Sequence, residues 1–327
     1  MKIHILDDWF DTLRNLPSFE RLEGHDVTIW NDHVDDIPEL AERLAPADCV
    51  VLFRERTPVT AEFLEKLPNL KLISQRSVFP HVDVPACTAN DVLLCSNMKG
   101  GLPSIAASEL TFALMLASAR QIPQQMASLQ AGQWQCGVGQ TLMGRTLGLY
   151  GYGRIANQVA GYARAFGMKV QWWGSEDGRT RAKADGETVP ESREAFFATS
   201  DFVSVHVRMT PETRGLITAA DLLAMKPSAT FINTSRAGLV EQGALQKALD
   251  AERPGRIALD VFETEPLTDP NDPIVNHPNV IGTPHIGFVT EDELDMQFAD
   301  IYDQINAYAA GDPIHMINPE VWNRARA

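Results

Sequence analysis

Leu147-Gly-Leu-Tyr-Gly-Tyr-Gly-Arg-Ile-Ala156 sets a short apolar run against a glycine turn and then opens a helical pattern. Read as strand, turn and helix, it lets Gly151 make a tight turn and Gly153 bring the backbone close to a pyrophosphate at the positive helix end. Ala156 takes the third position of Gly-x-Gly-x-x-Gly, a replacement the pattern tolerates. Such a pattern alone is weak evidence, but its context strengthens it. Ile155, Val159, Tyr162, Ala163 and Phe166 recur at helical spacing after the turn and Gly167 ends the run. Gly151, Gly153, Arg154 and Ile155 are therefore expected to hold a dinucleotide.

Outward from this turn, apolar runs alternate with helical patterns at Leu147–Tyr150, Lys169–Trp173, Phe202–His206, Thr230–Asn233, Arg256–Asp260 and Val280–Gly282. Helical segments are expected at Asp221–Met225 and Gln242–Ala251 among them. Strand-helix alternation implies parallel pairing, because each crossover returns the chain to the same end of the sheet. Six such strands predict a doubly wound α/β sheet. The first ~98 residues repeat the pattern on a smaller scale, with strands expected at Ile3–Leu6, Val27–Trp30, Cys49–Phe53, Leu70–Ile73 and Val92–Cys95. Pro103 then precedes a long helical pattern from Ser104 to about Gln130. Beyond Glu291 the pattern is helical again, through Met296, Phe298, Ile301 and Ile305. The division expected is residues 1–98 plus 290–327 as one domain and 99–289 as a dinucleotide domain inserted into it, with the terminal helix returning to the first domain and a cleft between the lobes.

With 327 residues, 44% of them hydrophobic, the chain is long enough for two cores. No stretch reaches the ~20 apolar residues that span a bilayer, and Met1–Asp8 runs into acids without the apolar core of a signal peptide. A cytoplasmic location is the expectation. A net charge of −15 repels a phosphate backbone, so nucleic-acid binding is not expected. Cys49, Cys87, Cys95 and Cys136 lack metal-site spacing and read as buried or inert thiols.

An NAD-binding sheet usually ends its second strand with an acid that holds the adenine ribose. Here Trp172-Trp173-Gly-Ser175 puts Gly174 at that position. Without the acid a 2′-phosphate is no longer repelled, and Ser175, Arg179 and Arg181 could hold one, so the balance within NAD(P)(H) points to NADP(H). Beyond the fourth, fifth and sixth strands lie Arg236, Glu265 and His285. Oxidising a 2-hydroxy acid needs a group that takes the hydroxyl proton and returns it in the reverse reaction, which histidine can do. A carboxylate beside it orients the ring and favours its charged form, and an arginine can grip the substrate carboxylate through two hydrogen bonds. The expected roles are His285 as acid/base, Glu265 as its partner and Arg236 as substrate anchor.

With these motifs stand Ser200-Asp-Phe-Val-Ser-Val-His206, Thr210-Pro-Glu-Thr-Arg-Gly-Leu-Ile217, Met225-Lys-Pro227, Ile232-Asn-Thr-Ser-Arg236, Asp260-Val-Phe262 with Glu265-Pro266, and Thr283-Pro-His-Ile-Gly287. Over nearly its whole length the chain resembles the D-isomer-specific 2-hydroxyacid dehydrogenases, which include phosphoglycerate dehydrogenases and glyoxylate/hydroxypyruvate reductases. The resemblance implies a Rossmann sheet inserted in a smaller flavodoxin-like substrate domain, a small 2-oxo or D-2-hydroxy acid as substrate, and a homodimer formed through the nucleotide domain at Ser104–Gln130. It implies catalytic roles for Arg236, Glu265 and His285, and cofactor contacts from Ser175, His206, Val207, Thr234, Ser235, Asp260 and Gly287, with Asp260 on the nicotinamide amide. By the same analogy, backbone donors at Ser77 and Val78 would meet the substrate carboxylate opposite Arg236.

Three departures stand out: Gly174; Arg208, where many members have proline; and Arg76-Ser-Val-Phe-Pro-His-Val-Asp83, where Phe79 and Pro80 fill a loop that is usually glycine-rich. The substrate therefore cannot be borrowed from a named member. Arg54 is a further candidate for a charged substrate group, or an ion pair with Glu55. Two rival readings remain: a formate dehydrogenase-like enzyme, whose relatives lack the acidic partner of the histidine, and a dinucleotide-sensing co-repressor, whose relatives keep all three residues.

Overall fold

The computed structural model describes residues 1–98 and 105–326. Two compact units divide the chain: Met1–Pro103 with Val289–Ala327, and Ser104–Phe288. The expected boundary at residues 98–99 and the expected helix start at Ser104 fall beside or within segment 99–104, outside the described residues.

In the first unit, β1 (Lys2–Ile5), β2 (Asp26–Ile29), β3 (Cys49–Val51), β4 (Leu72–Arg76) and β5 (Leu93–Asn97) pair in the order β2-β1-β3-β4-β5. All pairs are parallel, and the order is the flavodoxin-like one. β4 and β5 run past their apolar stretches, with Gln75 opposite Ser96 and Arg76 opposite Asn97. Helix Glu291–Ala309 lies on this sheet: Ser74 Oγ donates to Ile301 O at 3.1 Å, Gln304 Nε2 donates to Gln75 O at 3.1 Å, and Phe298, Ile301, Tyr302 and Ile305 are buried. Thr290 caps its N-terminus by accepting from Glu293 N, and three acids in the first turn complement the helix dipole.

In the second unit, β6 (Thr146–Tyr150), β7 (Lys169–Trp173), β8 (Phe202–Val205), β9 (Thr230–Asn233), β10 (Arg256–Leu259) and β11 (Val280–Gly282) pair in the order β11-β10-β9-β8-β6-β7. These pairs too are all parallel. Such a sheet is buried on both faces, and alternate side chains divide between two cores. Leu147, Leu149, Ile232 and Ala258 pack with helices Ala106–Arg120 and Arg154–Ala165. Tyr150, Phe231, Ile257 and Leu259 pack with Arg193–Thr199, Ala219–Ala224 and Ala244–Asp250.

The long helix expected to reach Gln130 is two helices. Gln121 adopts a left-handed conformation (φ 54°) that closes Ala106–Arg120, and Ile122–Gln130 restarts with Pro123 in its first turn. Helices Glu176–Ala184 and Arg193–Thr199 were not anticipated. Among the described residues no helix is long and apolar enough to cross a membrane. Cys49, Cys87 and Cys95 are buried, as expected, but Cys136 is exposed. Burial pushes the Cys87 and Cys95 thiols up to about 12.

Candidate active site

From β6 the chain crosses to β7 on one side and then to β8 on the other, so the sheet's topological switch point lies between β6 and β8. Ligands of doubly wound sheets bind beyond the carboxyl ends of the strands at such a point. Gly151 follows β6 there at φ 115°, and a Cβ on it would come within 2.3 Å of His206 O and 3.2 Å of Val207 Cγ2 at the end of β8. Only glycine lets the two strand ends pass this closely. Gly153 caps helix Arg154–Ala165 without a side-chain bond, a Cβ on it would meet nothing within 4 Å, and the first turn holds no acid. An open, uncapped helix start of this kind suits a pyrophosphate. Arg154 is exposed beside it, while Ile155 packs inward. His206 Nε2 pairs with Ser204 Oγ at 2.9 Å, and enclosure of the ring pushes its pKa down to about 4.

Beyond β7, Gly174 is buried at φ 148°, and a Cβ on it would lie 3.4 Å from Gly151 N. Ser175 caps helix Glu176–Ala184, its oxygen accepting from Gly178 N, which leaves its hydroxyl hydrogen to donate. Arg179 donates to Gly174 O and stacks 4.6 Å over the Trp173 ring. Arg181 is tied to Asp177 at 3.0 Å.

The ends of β9, β10 and β11 carry the polar residues. Asn233 is buried; its Oδ1 accepts from Ser235 N at 3.0 Å and its Nδ2 donates to Arg236 O at 2.9 Å, so it braces the loop that presents Arg236. Thr234 and Ser235 use their hydroxyls inside the unit, on Thr111 Oγ1 and Val205 O, both at 2.7 Å. Glu265 Oε2 meets His285 Nδ1 at 2.6 Å and its Oε1 accepts from Phe262 N at 2.8 Å. Burial pushes the Glu265 carboxyl up, but the bond and charge of His285, the Phe262 N–H and the charge of Arg236 outweigh it and hold the pKa below the ordinary value. Glu265 therefore stays ionised at neutral pH. His285 sits at φ 52° with the Phe288 ring edge-on at 5.8 Å. Asp260 is fully buried; burial pushes its carboxyl up, against donors from Thr283, Ile286 and Gly287 and the charge of His285.

These placements bring Arg236, Glu265 and His285 to the edge that also holds Gly151 and Gly153. In the first unit one expectation changes. Ser77 lies at φ 78° and its N–H donates to Asn97 O at 3.1 Å, because the β4-β5 pairing runs past the expected strand ends at Ile73 and Cys95 to Arg76 and Asn97. It is not available to a substrate carboxylate, whereas Val78 N–H has no partner among the described residues. Phe79 packs against the unit's own core, and Arg54 lies at φ 62° just beyond β3. Arg208 is exposed, its carbonyl accepting from Thr213 Oγ1 at 2.8 Å. Asn233, Thr283 and Phe288 were not singled out from the sequence. Among the described residues no group of His, Cys, Asp and Glu could hold a metal ion.

Residues 112–287 match the model of the D-isomer specific 2-hydroxyacid dehydrogenase, NAD binding domain, more than half of the chain. The glyoxylate reductase of Thermococcus litoralis is 33% identical over 312 residues, which cover 91% of this chain and 92% of that one. The chain belongs to the D-isomer specific 2-hydroxyacid dehydrogenases. Within this family, the D-3-phosphoglycerate dehydrogenase of Methanocaldococcus jannaschii is 36% identical over 277 residues, covering 84% of this chain but 52% of its own length. The chain spans about half the length of the curated phosphoglycerate dehydrogenases it matches. A solved phosphoglycerate oxidoreductase from Vibrio cholerae O395 superposes with a TM-score of 0.90 at 42% identity, over 95% of this chain and 99% of that one. The family's dinucleotide domain accounts for the glycine cradle at the switch point.

Proposed function

We propose that the chain transfers a hydride between NAD(P)(H) and a small 2-oxo or D-2-hydroxy acid. The observation behind this reading is the 2.6 Å Glu265–His285 pair beside Arg236, on the strand edge that carries the open helix start at Gly153. The bound dinucleotide supplies or accepts the hydride. Arg236 binds the substrate carboxylate. Glu265 holds Nδ1 of His285, which leaves Nε2 to give a proton to the carbonyl oxygen in reduction and to take it back in oxidation. The same pair argues against a formate dehydrogenase-like chemistry, which by resemblance does without the acid. In the first unit, Val78 N–H is the donor proposed for substrate. The test is a panel of 2-oxo acids, glyoxylate and hydroxypyruvate among them, crossed with NADH and NADPH. Failure of every pair to turn over would refute the reading.

Glu265→Gln should slow reduction, because a neutral amide in place of the ionised carboxylate gives Nδ1 of His285 a weaker partner and holds the ring less firmly. Unchanged kcat in the variant would separate Glu265 from the proton transfer.

Within the dinucleotides we favour NADP(H). No acid stands at Gly174, Ser175 keeps a donor, and Arg179 is held at the Gly174 carbonyl. A charge-assisted hydrogen bond is worth about 1.5–3 kcal/mol, so Arg179→Ala should weaken NADPH roughly 10- to 100-fold in a fluorescence titration and change NADH little. Equal weakening of both, or a wild type that prefers NADH, would exclude this preference.

A homodimer is proposed through the end of the Ser104–Gln130 region and the segment that follows it towards β6: Met126 and Leu129 in helix Ile122–Gln130 and Trp134, Val138 and Met143 beyond it expose 56% to 90% of their surface. Apolar patches of this kind mark interfaces. Sedimentation velocity should give a dimer for the wild type and a monomer for Trp134→Glu with Val138→Glu. A monomeric wild type would reject the proposal.

A further inference from the structure

The peptide that joins Ser77 to Val78 is gripped by its carbonyl. Ser77 O accepts from Ser96 Oγ at 2.7 Å and from Gln75 Nε2 at 3.2 Å. Gln75 Nε2 also reaches Val78 O at 3.3 Å and Ser96 Oγ at 3.1 Å. Two of the three atoms facing that nitrogen are carbonyl oxygens, which can only accept, so it is the NH2 end of the amide that faces the loop. Gln75 and Ser96 stand opposite each other on β4 and β5 and are 1% and 2% exposed. A polar side chain so deeply buried is costly unless it has fixed partners, and the partners of these two are each other and the carbonyls of the loop after β4.

The Ser77–Val78 peptide is trans, and a trans peptide carries its C=O and N–H on opposite sides. With Ser77 O drawn inward, the Val78 N–H is turned away from Gln75 and Ser96. This is the N–H that has no partner among the described residues. The preceding peptide is fixed as well, by the bond from Ser77 N to Asn97 O. Together these bonds hold Ser77 at φ 78°, a conformation that a residue other than glycine keeps only where its surroundings impose it. The frame is anchored in turn on helix Glu291–Ala309 of the same unit. Gln304 Nε2 donates to Gln75 O at 3.1 Å, and Asp300 Oδ2 accepts from Arg76 Nε at 2.7 Å and from Asn97 Nδ2 at 3.0 Å. A donor fixed before its ligand arrives needs no reorganisation on binding.

We infer that Gln75 and Ser96 are positioning residues for substrate recognition: by gripping the Ser77 and Val78 carbonyls they hold the Val78 N–H ready for the carboxylate of a 2-oxo acid. The inference rests on the reading of Val78 N–H as a substrate donor. Its first readout is therefore independent of turnover. In Gln75→Met, similar in length but without a donor, the Ser77 amide should lose roughly tenfold of its hydrogen-exchange protection while the amides inside β4 and β5 keep theirs. Ser96→Ala removes one grip on Ser77 O and leaves Gln75 in place; it should show the same loss in smaller measure and serves if the Met variant does not fold. In turnover, KM for the 2-oxo acid reduced best should rise roughly 10-fold in Gln75→Met, the equivalent of one hydrogen bond to a charged group. The values of kcat and of the NAD(P)H Kd should stay within about twofold, because neither proton transfer nor the dinucleotide cradle is touched. Undiminished protection of Ser77 in both variants, or an unchanged KM, would overturn the inference. So would a loss shared equally by KM, kcat and dinucleotide affinity, which would mark a general effect on stability. A wild type that turns over no 2-oxo acid would defeat the proposed function alone, and the exchange data would still decide whether Gln75 and Ser96 hold the turn.

Discussion

His285→Ala is expected to lower the rate of 2-oxo acid reduction by roughly 10²- to 10⁴-fold, the usual worth of a positioned general acid. Dinucleotide binding should persist, because the cradle at Gly151 and Gly153 sits at the ends of β6 and β8 whereas His285 follows β11. The decisive comparison is kcat against the Kd for NAD(P)H measured by fluorescence. Near-normal reduction by the variant would remove His285 from the mechanism. Parallel loss of turnover and dinucleotide affinity would instead mean that the loop 283–287 is part of the cofactor site.

Arg236→Ala should cost about as much through a different parameter. Two charge-assisted hydrogen bonds to a substrate carboxylate, each worth about 1.5–3 kcal/mol, amount to roughly 10²- to 10⁴-fold in kcat/KM. A large part should appear as a raised KM, since a carboxylate is held before and during reaction alike. Arg236→Lys keeps the charge without the two-pronged geometry and should recover only part of the loss. Full recovery by lysine would show that the charge alone matters; an unchanged KM in both variants would place substrate binding elsewhere.

The glycine turn, the six strands and the three polar residues beyond them could all be read from the sequence, because each is written in local pattern. Leu147, Leu149, Phe231 and Ile257 are apolar for a sheet covered on both faces, and such runs announce themselves. Helix Glu176–Ala184 was invisible because it buries only Gly178 and Ala182 and offers no apolar stripe. The break at Gln121 had a signal in Pro123, which suits the first turn of a new helix and not the interior of a long one, whereas the left-handed conformation of Gln121 itself is no preference of glutamine. Ser77 was misread because β4 and β5 keep pairing through Gln75, Arg76, Ser96 and Asn97, a polar continuation that depends on register. Asn233 and Thr283 look like ordinary loop residues. Their importance appears only when the strand ends lie side by side, with the Asn233 side chain on the loop that presents Arg236 and the Thr283 hydroxyl on the Asp260 carboxylate.

Gly174 has a consequence for how this chain can change. A common way to turn such a site towards NAD is a single replacement that restores an acid at the end of the second strand. Here that strand leaves at φ 148°, so an aspartate at 174 would gain its ribose contact while carrying about 1–3 kcal/mol of backbone strain. The shortest mutational path between the two cofactors is thereby uphill at its first step. Selection or design that seeks the other dinucleotide is directed to residues 175, 179 and 181, where side chains can change without moving the main chain.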